Sequence, residues 1–514
     1  MEPVPLKSWV ILAACAVATM LNDISGAVLN LDLPSAARDL GASAGQGQLI
    51  LLLGKLALGA LLLAGGGLGD RFGRKTVILA GIGIVAAASV LSGLAPTARL
   101  MAAGRALDGI GNAMIGPLAL ALCVLIFPAE MRARVIGLFL GLAGTGVVVG
   151  PLLAGAMIQL GGWRLGFVPP LALSLLGGAA LAALVPVPPV PARRPRLDLP
   201  GMALSAVGLT AVVLGFVLAG NQGWMHRVPL GLIVVGAAGL AVFAWWELRR
   251  AESPLVDSRL LVSREVLAAM LAVLLMSLVL NGTVFPLLYF MQRVQGSSPL
   301  GAVMRLLPLI AAALLAAPVA GDMAVRRGRR LVIAIGLLLV AAGSGLLIDL
   351  TPHSPYAEML AGLVLIGAGA MTVITPGADL IMATTGRDQA GSAAALNAAV
   401  IQVGGAIGIG VIAAAFARAG EQSFLARMAE LGYSAAQADT YMEMLREAVR
   451  ETTLHQIPRL PEVSAQTQAV LMDAYARAAA AGVSRGFAIA GAVALATLPV
   501  VLLGMPRRRP PAGG

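Results

Sequence analysis

The chain has 514 residues, of which 59% are hydrophobic and 12% are charged, and its mean hydropathy is +0.90. A soluble protein of this length does not reach such a hydropathy, so the composition predicts an all-helical, polytopic membrane protein. The formal net charge of +11 would favour nucleic-acid binding only if the cations shared one surface. They lie instead in short loops between apolar runs, which excludes a nucleic-acid partner.

The chemistry of an enzyme is missing from the sequence. Cys15 and Cys123 fall in apolar runs, where packing is the expected role, and His226, His353 and His455 fall in or beside loops. No group of His, Cys and acidic residues has metal-ligand spacing, and neither a Walker sequence nor Gly-x-Ser-x-Gly occurs. We therefore predict no enzyme, no catalytic residue, no metal and no cofactor.

Apolar runs long enough to span a bilayer follow one another along the chain. The first continues for too long to be a cleaved signal peptide. A long, charged segment, residues 418–484, separates the last two runs and is predicted to lie outside. The fourteen predicted spans cover residues 9–33, 47–69, 76–95, 99–127, 135–160, 165–186, 199–219, 229–247, 266–290, 298–320, 331–350, 356–384, 391–417 and 485–504.

Basic residues alternate between the loops. Alternate loops hold clusters of cations, as in residues 71–75 and 326–330, and the short loops between them hold about one cation each or none. By the positive-inside rule the clustered loops are cytoplasmic. The prediction is a multi-pass protein of the cytoplasmic (inner) membrane of a bacterium, with cytoplasmic N- and C-termini.

A glycine-rich cationic turn joins the second and third spans. It reads Gly-Gly-Leu-Gly-Asp-Arg-Phe-Gly-Arg-Lys over residues 66–75, and its glycines permit close helix approach. A second copy occupies residues 321–330, with Val325 at the position of Asp70. The repeat predicts two six-helix halves, residues 1–186 and 266–514, joined by residues 187–265, which carry two further spans.

These features resemble the fourteen-span drug:proton antiporters of the major facilitator superfamily. The turn matches the signature loop of that family, Arg105, Gly109 and Gly111 match its fourth-helix motif, and residues 144–155 resemble its fifth-helix antiporter motif. The resemblance implies two six-helix bundles with two inserted helices. It assigns Gly66, Asp70, Arg71, Gly73 and Arg74 to a gating motif, and Gly146, Gly150, Pro151 and Gly155 to the antiporter motif.

Charged residues inside the first, second and fourth spans depart from the family pattern. The first span has Ser25 where the family has an acid, and the fourth has Asp108 where the family has glutamine. A charge at bilayer depth costs on the order of 3 kcal/mol, so we expect each charge to face a cavity or a partner. The residues expected to form one polar network are Asp23, Asp32, Lys55, Arg105 and Asp108.

Within this network, Arg105 and Asp108 are three residues apart and are expected to pair on one helix face. Lys55 is expected to pair with Asp23. Either Asp23 or Asp32 takes over the role of the missing acid as a proton carrier, and the alternative is a permanent salt bridge that holds the helices together.

Further polar residues are candidates for a substrate path or a gate. Asn30, Asn281, Tyr289 and Arg305 fall in the outer half of the predicted spans, and Asp379 falls near an inner span end, where it caps a helix or contacts the gate. Residues 435–449 have the composition of an amphipathic helix. This external segment is either a passive cap or a gate over the outer mouth.

The resemblance implies a proton-coupled exporter of drugs or amphipathic small molecules, working as a monomer. Its partners are then a small-molecule substrate, protons and the lipid bilayer. One alternative is an exporter dedicated to a single endogenous metabolite or lipid. Another is a non-transporting sensor or scaffold, which the charges within the spans disfavour because a scaffold has no use for them.

Overall fold

The computed structural model is built from α-helices and describes residues 4–186, 197–224, 226–251, 254–451, 460 and 463–506. In this described part, 13 stretches of helix are long and apolar enough to cross a membrane, when helices divided only by a short break are counted as one stretch. The 17-residue helix Arg329–Gly345 occupies the place of one further predicted span. The prediction of an all-helical polytopic protein is confirmed.

The first nine helices cover the predicted first half and the two inserted spans. They are α1 (Leu6–Asp39), α2 (Ala44–Phe72), α3 (Arg74–Gly93), α4 (Ala98–Ile126), α5 (Arg132–Gly144), α6 (Gly146–Gly161), α7 (Val168–Leu184), α8 (Leu199–Gln222) and α9 (Arg227–Arg249).

The remaining helices cover the predicted second half. They are α10 (Ser258–Val262), α11 (Arg264–Arg293), α12 (Pro299–Arg305), α13 (Leu307–Arg327), α14 (Arg329–Gly345), α15 (Tyr356–Thr384), α16 (Ala390–Glu430), α17 (Ala435–Glu451) and α18 (Ala465–Gly504). Short 3-10 turns at Ala129–Met131, Leu165–Phe167 and Arg387–Gln389 precede α5, α7 and α16.

The two copies of the cationic turn fold in the same way. Gly73 directly follows α2 and has φ of +92°, and Gly328 directly follows α13 and has φ of +91°. Side-chain-bearing residues rarely adopt this left-handed region, so glycine is required at both positions. The chain therefore reverses within one residue, and Arg74 and Arg329 begin the next helices.

Several predicted spans are interrupted. The span predicted at 135–160 is divided into α5 and α6 at Thr145, and that predicted at 298–320 is divided into α12 and α13 at Leu306. α1 is kinked at Asp32, which has φ of −138° and ψ of 36°. Pro34 follows two residues later and lacks the N–H that would continue the helix ladder. α14 ends at Gly345, earlier than the predicted residue 350.

The predicted external loop, residues 418–484, is largely helical where it is described. α16 continues to Glu430 and α18 begins at Ala465, so both helices extend beyond the span limits predicted at 417 and 485. Good helix formers such as Ala, Glu, Arg and Met continue across both boundaries. α17 confirms the amphipathic helix predicted at 435–449. This cap (residues 418–484) has its own hydrophobic cluster, formed by Phe424, Met428, Ala438, Leu445, Leu460, Leu471, Ala474 and Ala478.

The helix termini gather at two ends of the bundle. One, which we name the basic end, holds both cationic turns and the described ends of α7 and α18: Lys75 Nζ donates to the carbonyl of Ala182 at 2.8 Å, and Arg330 Nη1 donates to that of Met505 at 3.3 Å. The opposite end, named the cap end, carries the cap and the contact between Arg164 and Asp39.

Candidate functional site

A buried carboxylate on α4 is the centre of the charge network. Asp108 is 4% exposed, and its Oδ2 accepts hydrogen bonds from Arg105 Nη1 and Ser25 Oγ, each at 2.9 Å. Its Oδ1 accepts from Asn112 Nδ2 at 3.2 Å. The predicted pairing of Arg105 with Asp108 is confirmed. The first helix has Ser25 at the position of the family's acid, and Asp108 of the fourth helix places a carboxylate next to it.

Asp23 on α1 lies against the glycines of α6. It is half-buried, and its side chain accepts a hydrogen bond from Asn22 Nδ2 at 3.3 Å. A Cβ added at Gly146 would lie 2.9 Å from Asp23 Oδ2, and one added at Gly150 would lie 2.9 Å from the Asp23 carbonyl oxygen. Glycine at both positions therefore lets α6 approach α1 at this acid. Farther along α6, a Cβ added at Gly155 would lie 3.8 Å from Leu31, which is an ordinary contact distance. Pro151 lies within the same helix.

Lys55 on α2 does not form the predicted ion pair. Its side chain is exposed and lies within electrostatic range of Arg105 and Asp23, yet among the described residues no carboxylate oxygen is within 4 Å of its Nζ. The preceding residue, Gly54, faces α4, since a Cβ there would lie 2.9 Å from Arg105 Nη2. Successive helix residues point about 100° apart, so Lys55 is directed away from that contact.

The other polar residues predicted on α1 lie nearer the cap end. Asn30 is exposed, and Asp32 is half-buried at the kink. In the part of the chain that is described, no donor or cation is bonded to the Asp32 carboxylate. Asp32 thus lies apart from the cluster around Asp108.

At the basic end, Asp70 of α2 binds the first turn of α16. Asp70 Oδ1 accepts from the Gly391 N–H at 3.0 Å, and Oδ2 accepts from the N–H and Oγ of Ser392, each at 2.9 Å. Arg74 Nη2 donates to Oδ1 at 2.9 Å and to the carbonyl of Asp388 at 3.3 Å. The free N–H groups and the dipole of a helix N-terminus both favour a carboxylate there.

Two glycines bring the backbones of α2 and α16 together beside this carboxylate. A Cβ at Gly66 would lie 2.7 Å from the carbonyl oxygen of Gly391, and one at Gly391 would lie 2.6 Å from Asp70 Oδ1. Any side chain at either position would separate the helices. The neighbouring Arg71 lies over the ring of Phe72, 5.3 Å from its centre.

A second acid joins different helices at the same end. Asp379 of α15 is buried, and its Oδ1 accepts from Arg132 Nε of α5 at 2.8 Å. Its Oδ2 accepts from Arg329 of α14, at 2.8 Å from Nε and 2.6 Å from Nη2. Alongside, α13 lies against α5, where a Cβ at Gly321 would be 2.5 Å from the carbonyl oxygen of Ala133. Asp379 therefore joins α15 to α5 and α14 through ion pairs, and its predicted contact with a gate stays a prediction.

Sequence reasoning missed Arg132 and Arg329 as functional residues. A signal was present, because Arg329 occupies the same position in the second copy of the turn as Arg74 does in the first. The second copy has Val325 at the position of Asp70, so the sequence offered no neighbouring acid as a partner for Arg329. The partner acid is contributed by α15, which sequence spacing alone does not bring close.

The candidates of the second half lie in two environments. Asn281 is exposed on α11 and donates to the carbonyl of Ser277 at 3.0 Å. The hydroxyl of Tyr289 is hydrogen-bonded to that of Tyr475, and Arg305 Nη1 donates to Gln295 Oε1 at 3.0 Å. Tyr289 and Arg305 therefore connect segments at the cap end, whereas Asn281 is open.

A sequence model of the family described as "Major Facilitator Superfamily" matches residues 15–409. The chain belongs to the Major Facilitator Superfamily. That span includes the Asp108 cluster and both acidic contacts of the basic end, so these three sites lie within the part that this superfamily shares.

Curated relatives of this Major Facilitator Superfamily protein are bacterial resistance and export proteins. The puromycin resistance protein pur8 of Streptomyces alboniger is 34% identical over 418 residues, covering 80% of this chain and 82% of the relative. The tetracenomycin C resistance and export protein of Streptomyces glaucescens is 29% identical over 500 residues, covering 96% and 91%. The probable actinorhodin transporter of Streptomyces coelicolor is 30% identical over 477 residues, covering 88% and 81%.

Solved structures support the superfamily fold. The human organic anion transporter MFSD10 (TETRAN) matches with a TM-score of 0.59 and 16% identity, covering 96% of this chain and 99% of that one. The proton:xylose symporter XylE matches with a TM-score of 0.52 and 18% identity, covering 80% and 96%. The family model and the resistance and export relatives confirm the resemblance to the drug exporters of this superfamily. As a Major Facilitator Superfamily member with bacterial relatives, the chain is a multi-pass membrane protein of a transporter family that binds small molecules.

Proposed function

We propose that this protein is a proton-coupled exporter of drugs or other amphipathic small molecules, acting across the cytoplasmic membrane of a bacterium. The observation that carries the proposal is the group of charges inside the bundle, in which Asp23 lies against the antiporter-motif glycines of α6, two residues before Ser25, which donates a hydrogen bond to Asp108. In this proposal the protein is a monomer without enzymatic activity.

The two contacts at the basic end support alternating access. Asp70 and Asp379 each join helices from different repeats, so that end is closed between them. Lys55, in the middle of α2, is nevertheless exposed, as expected if the space between the helices is open away from the basic end. Because the basic end carries the clustered arginines, we assign it to the cytoplasm with both termini. The division into residues 1–186, 187–265 and 266–514 belongs to the same proposal.

Asp23 is the acid best suited to carry the proton. Asp108 is held by three side-chain donors, one of which is the Arg105 guanidinium, and these contacts favour a fixed charge. Asp23 forms no ion pair with any described residue, so its charge is free to change during a cycle. Lys55 is near enough to stabilise the Asp23 carboxylate after the proton leaves.

The test is dye transport in inside-out vesicles with an imposed pH gradient. We expect D23N to lose gradient-driven uptake while it still exchanges dye across the membrane without a gradient, because only proton coupling is removed. D39N is the matched control, since Asp39 lies on the same helix but is exposed at the cap end. Full gradient-driven transport by D23N would move the proton to Asp108 or Asp32.

A dedicated exporter of one endogenous metabolite or lipid is the second candidate. It is favoured by relatives whose names each specify a single compound, puromycin and tetracenomycin C. A resistance profile of cells that express the protein separates the two. Protection against several unrelated compounds supports the multidrug exporter, and protection against one compound supports the dedicated exporter.

A further inference from the structure

Two buried carboxylates meet where the inserted helices α8 and α9 come together, outside the charge network described above. Asp198 is 8% exposed and precedes α8, and Glu247 is 3% exposed near the end of α9. Both point towards Gly201. A Cβ added there would lie 2.3 Å from Asp198 Oδ2 and 2.7 Å from Glu247 Oε1, so the two oxygens approach the same point.

The remaining partners of this pair are N–H donors. Asp198 accepts from Trp246 Nε1 at 3.0 Å and from the Gly201 N–H at 3.0 Å, and Glu247 Oε2 accepts from the Val256 N–H at 3.2 Å. Glu247 Oε1 is buried and has no hydrogen-bond partner among the described residues. This oxygen is therefore the one open position in the cluster, and it faces another carboxylate.

No cation neutralises the pair within the described chain. Asp198 is the charged group that acts on Glu247. Asp257, on the adjoining segment, caps α10 and pairs with Arg259 at 3.4 Å, while Arg249 and Arg250 on α9 itself are exposed. α8 carries no charged residue of its own. Two buried like charges so close together repel each other, which favours a proton on one of them at neutral pH.

We propose that Asp198 and Glu247 bind one proton between them, as an acid–carboxylate pair in which Glu247 Oε1–H donates to Asp198. A metal ion does not fit, because metal ions need several oxygen ligands and the other groups at this place are N–H donors. A proton fits, since it converts the one unpartnered acceptor into a donor. Its release to water leaves two carboxylates, and its uptake restores the pair.

The shared proton also holds residues 254–257 against α2. Glu247 Oε2 holds the Val256 N–H, and the side chain of the adjacent Leu255 packs on α2, 2.8 Å from the position of a Cβ at Gly67. Gly67 lies three residues before Asp70. Loss of the proton would force the two carboxylates apart and loosen residues 254–257 from α2. The proton site therefore makes the closure of the basic end sensitive to the pH on that side.

Infrared spectroscopy of the purified full-length protein tests the proton directly. At neutral pH the wild-type protein is expected to show the carbonyl band of a protonated carboxylic acid that is missing from E247Q, because the amide replaces the acid with a group of similar shape. The control is D257N, which changes a neighbouring buried acid and should leave this band in place. If E247Q showed the same carboxylic acid band as the wild-type protein, the proposal would be overturned. The measurement does not involve transport, so its result is independent of the proposed export function.

Cysteine labelling tests the link to α2. Leu255 is 5% exposed, so L255C should react slowly with a maleimide while the proton is bound. At about pH 9 we expect the proton to be lost and labelling to be at least several-fold faster in the L255C protein than in the L255C/E247Q protein. Both proteins are measured at one pH, so thiol reactivity is the same in each. Equal rates would refute the coupling to residues 254–257.

Discussion

At the basic end, α2 meets α16 through Asp70, and α5 meets α15 through Asp379. Each acid pairs with one arginine that begins the helix after a cationic turn. Asp70 pairs with Arg74 of α3, and Asp379 pairs with Arg329 of α14. Each also has a partner from the other repeat, which is the N-terminus of α16 for Asp70 and the guanidinium of Arg132 for Asp379. The arginines occupy equivalent positions in the repeat, whereas the acids come from unrelated positions on α2 and α15.

The difference shows that a repeated motif can keep its electrostatic arrangement without keeping its residues. Val325 replaces the aligned acid and is 58% exposed, so a carboxylate there would lie in solvent. Asp379 reaches Arg329 from the interior, with a side-chain exposure of 2%. Between the repeats, the second contact pairs two full charges, whereas the first pairs a carboxylate with N–H and hydroxyl groups of α16. We therefore expect the second contact to be the more costly to break.

The largest effect is expected for D379N. The amide leaves Arg132 and Arg329 without their shared carboxylate, and we expect a loss of about 2 kcal/mol in stability, below the ~3–5 kcal/mol for fully buried pairs because both arginines are partly exposed. The melting temperature in detergent and the transport rate should both fall. The matched control is D322N, whose partner Arg134 lies 3.9 Å away with both side chains about half exposed. If D322N were as harmful as D379N, burial would not be the reason.

The next largest effects are expected for alanine at the two glycines that begin the repeated turn sequences, Gly66 and Gly321. G66A and G321A each place a methyl group against a backbone carbonyl, and overpacking of this kind costs about 1–3 kcal/mol. At about 1.4 kcal/mol, the ratio of closed to open molecules changes tenfold. We expect faster thiol labelling of cysteines introduced at the basic end. G83A is the control, because nothing lies within 4 Å of a Cβ at Gly83; similar labelling in all three would contradict the steric explanation.

A smaller effect is expected for D70N. The amide oxygen can still accept from one of the α16 N–H groups, but its NH2 faces the other donors, which costs about 1 kcal/mol. Transport should slow several-fold while membrane insertion stays normal. Vesicle transport and the amount of protein in the membrane measure the two quantities. A D70N protein with the wild-type rate would remove Asp70 from the gate.

The smallest effect is expected at the cap end, where Asp39 is exposed. Hydrogen bonds from Trp163 and Arg164 lower the pKa of Asp39 below its usual value. A lowered pKa stabilises the folded state above pH ~4, and that stabilisation disappears as the pH falls through the lowered pKa. The melting temperature of D39N should therefore be slightly below that of the wild type at neutral pH and equal to it in acid. A difference that grew in acid would reverse this assignment.

Much of the fold could be predicted because it depends on local patterns. Apolar runs of bilayer length mark most of the helices, and the alternation of loop cations separates the two ends. The breaks at Thr145 and Leu306 and the long extensions of α16 and α18 were missed, because hydropathy does not distinguish a bent span from a straight one or locate the end of a helix that leaves the membrane.

The site was predictable only within single helices. Arg105 and Asp108 are three residues apart on α4, so spacing sufficed to pair them. Lys55 was assigned to Asp23 by depth alone, and the rotation of α2, set by the contact of Gly54 with Arg105, directs it elsewhere. The partners of Asp379 come from α5 and α14, and their meeting depends on how three helices pack.

The cap gives any movement of the second half a long lever arm. α16 has 41 residues, which at 1.5 Å per residue is about 60 Å of continuous helix. The cap is also attached to α11, where Arg293 Nη2 donates to the carbonyl of Val449 at 3.0 Å. A rotation of about 15° around the middle of α16 would sweep its outer tip through roughly 8 Å. We therefore expect a ligand bound to residues 435–449 to restrict this rotation of α16.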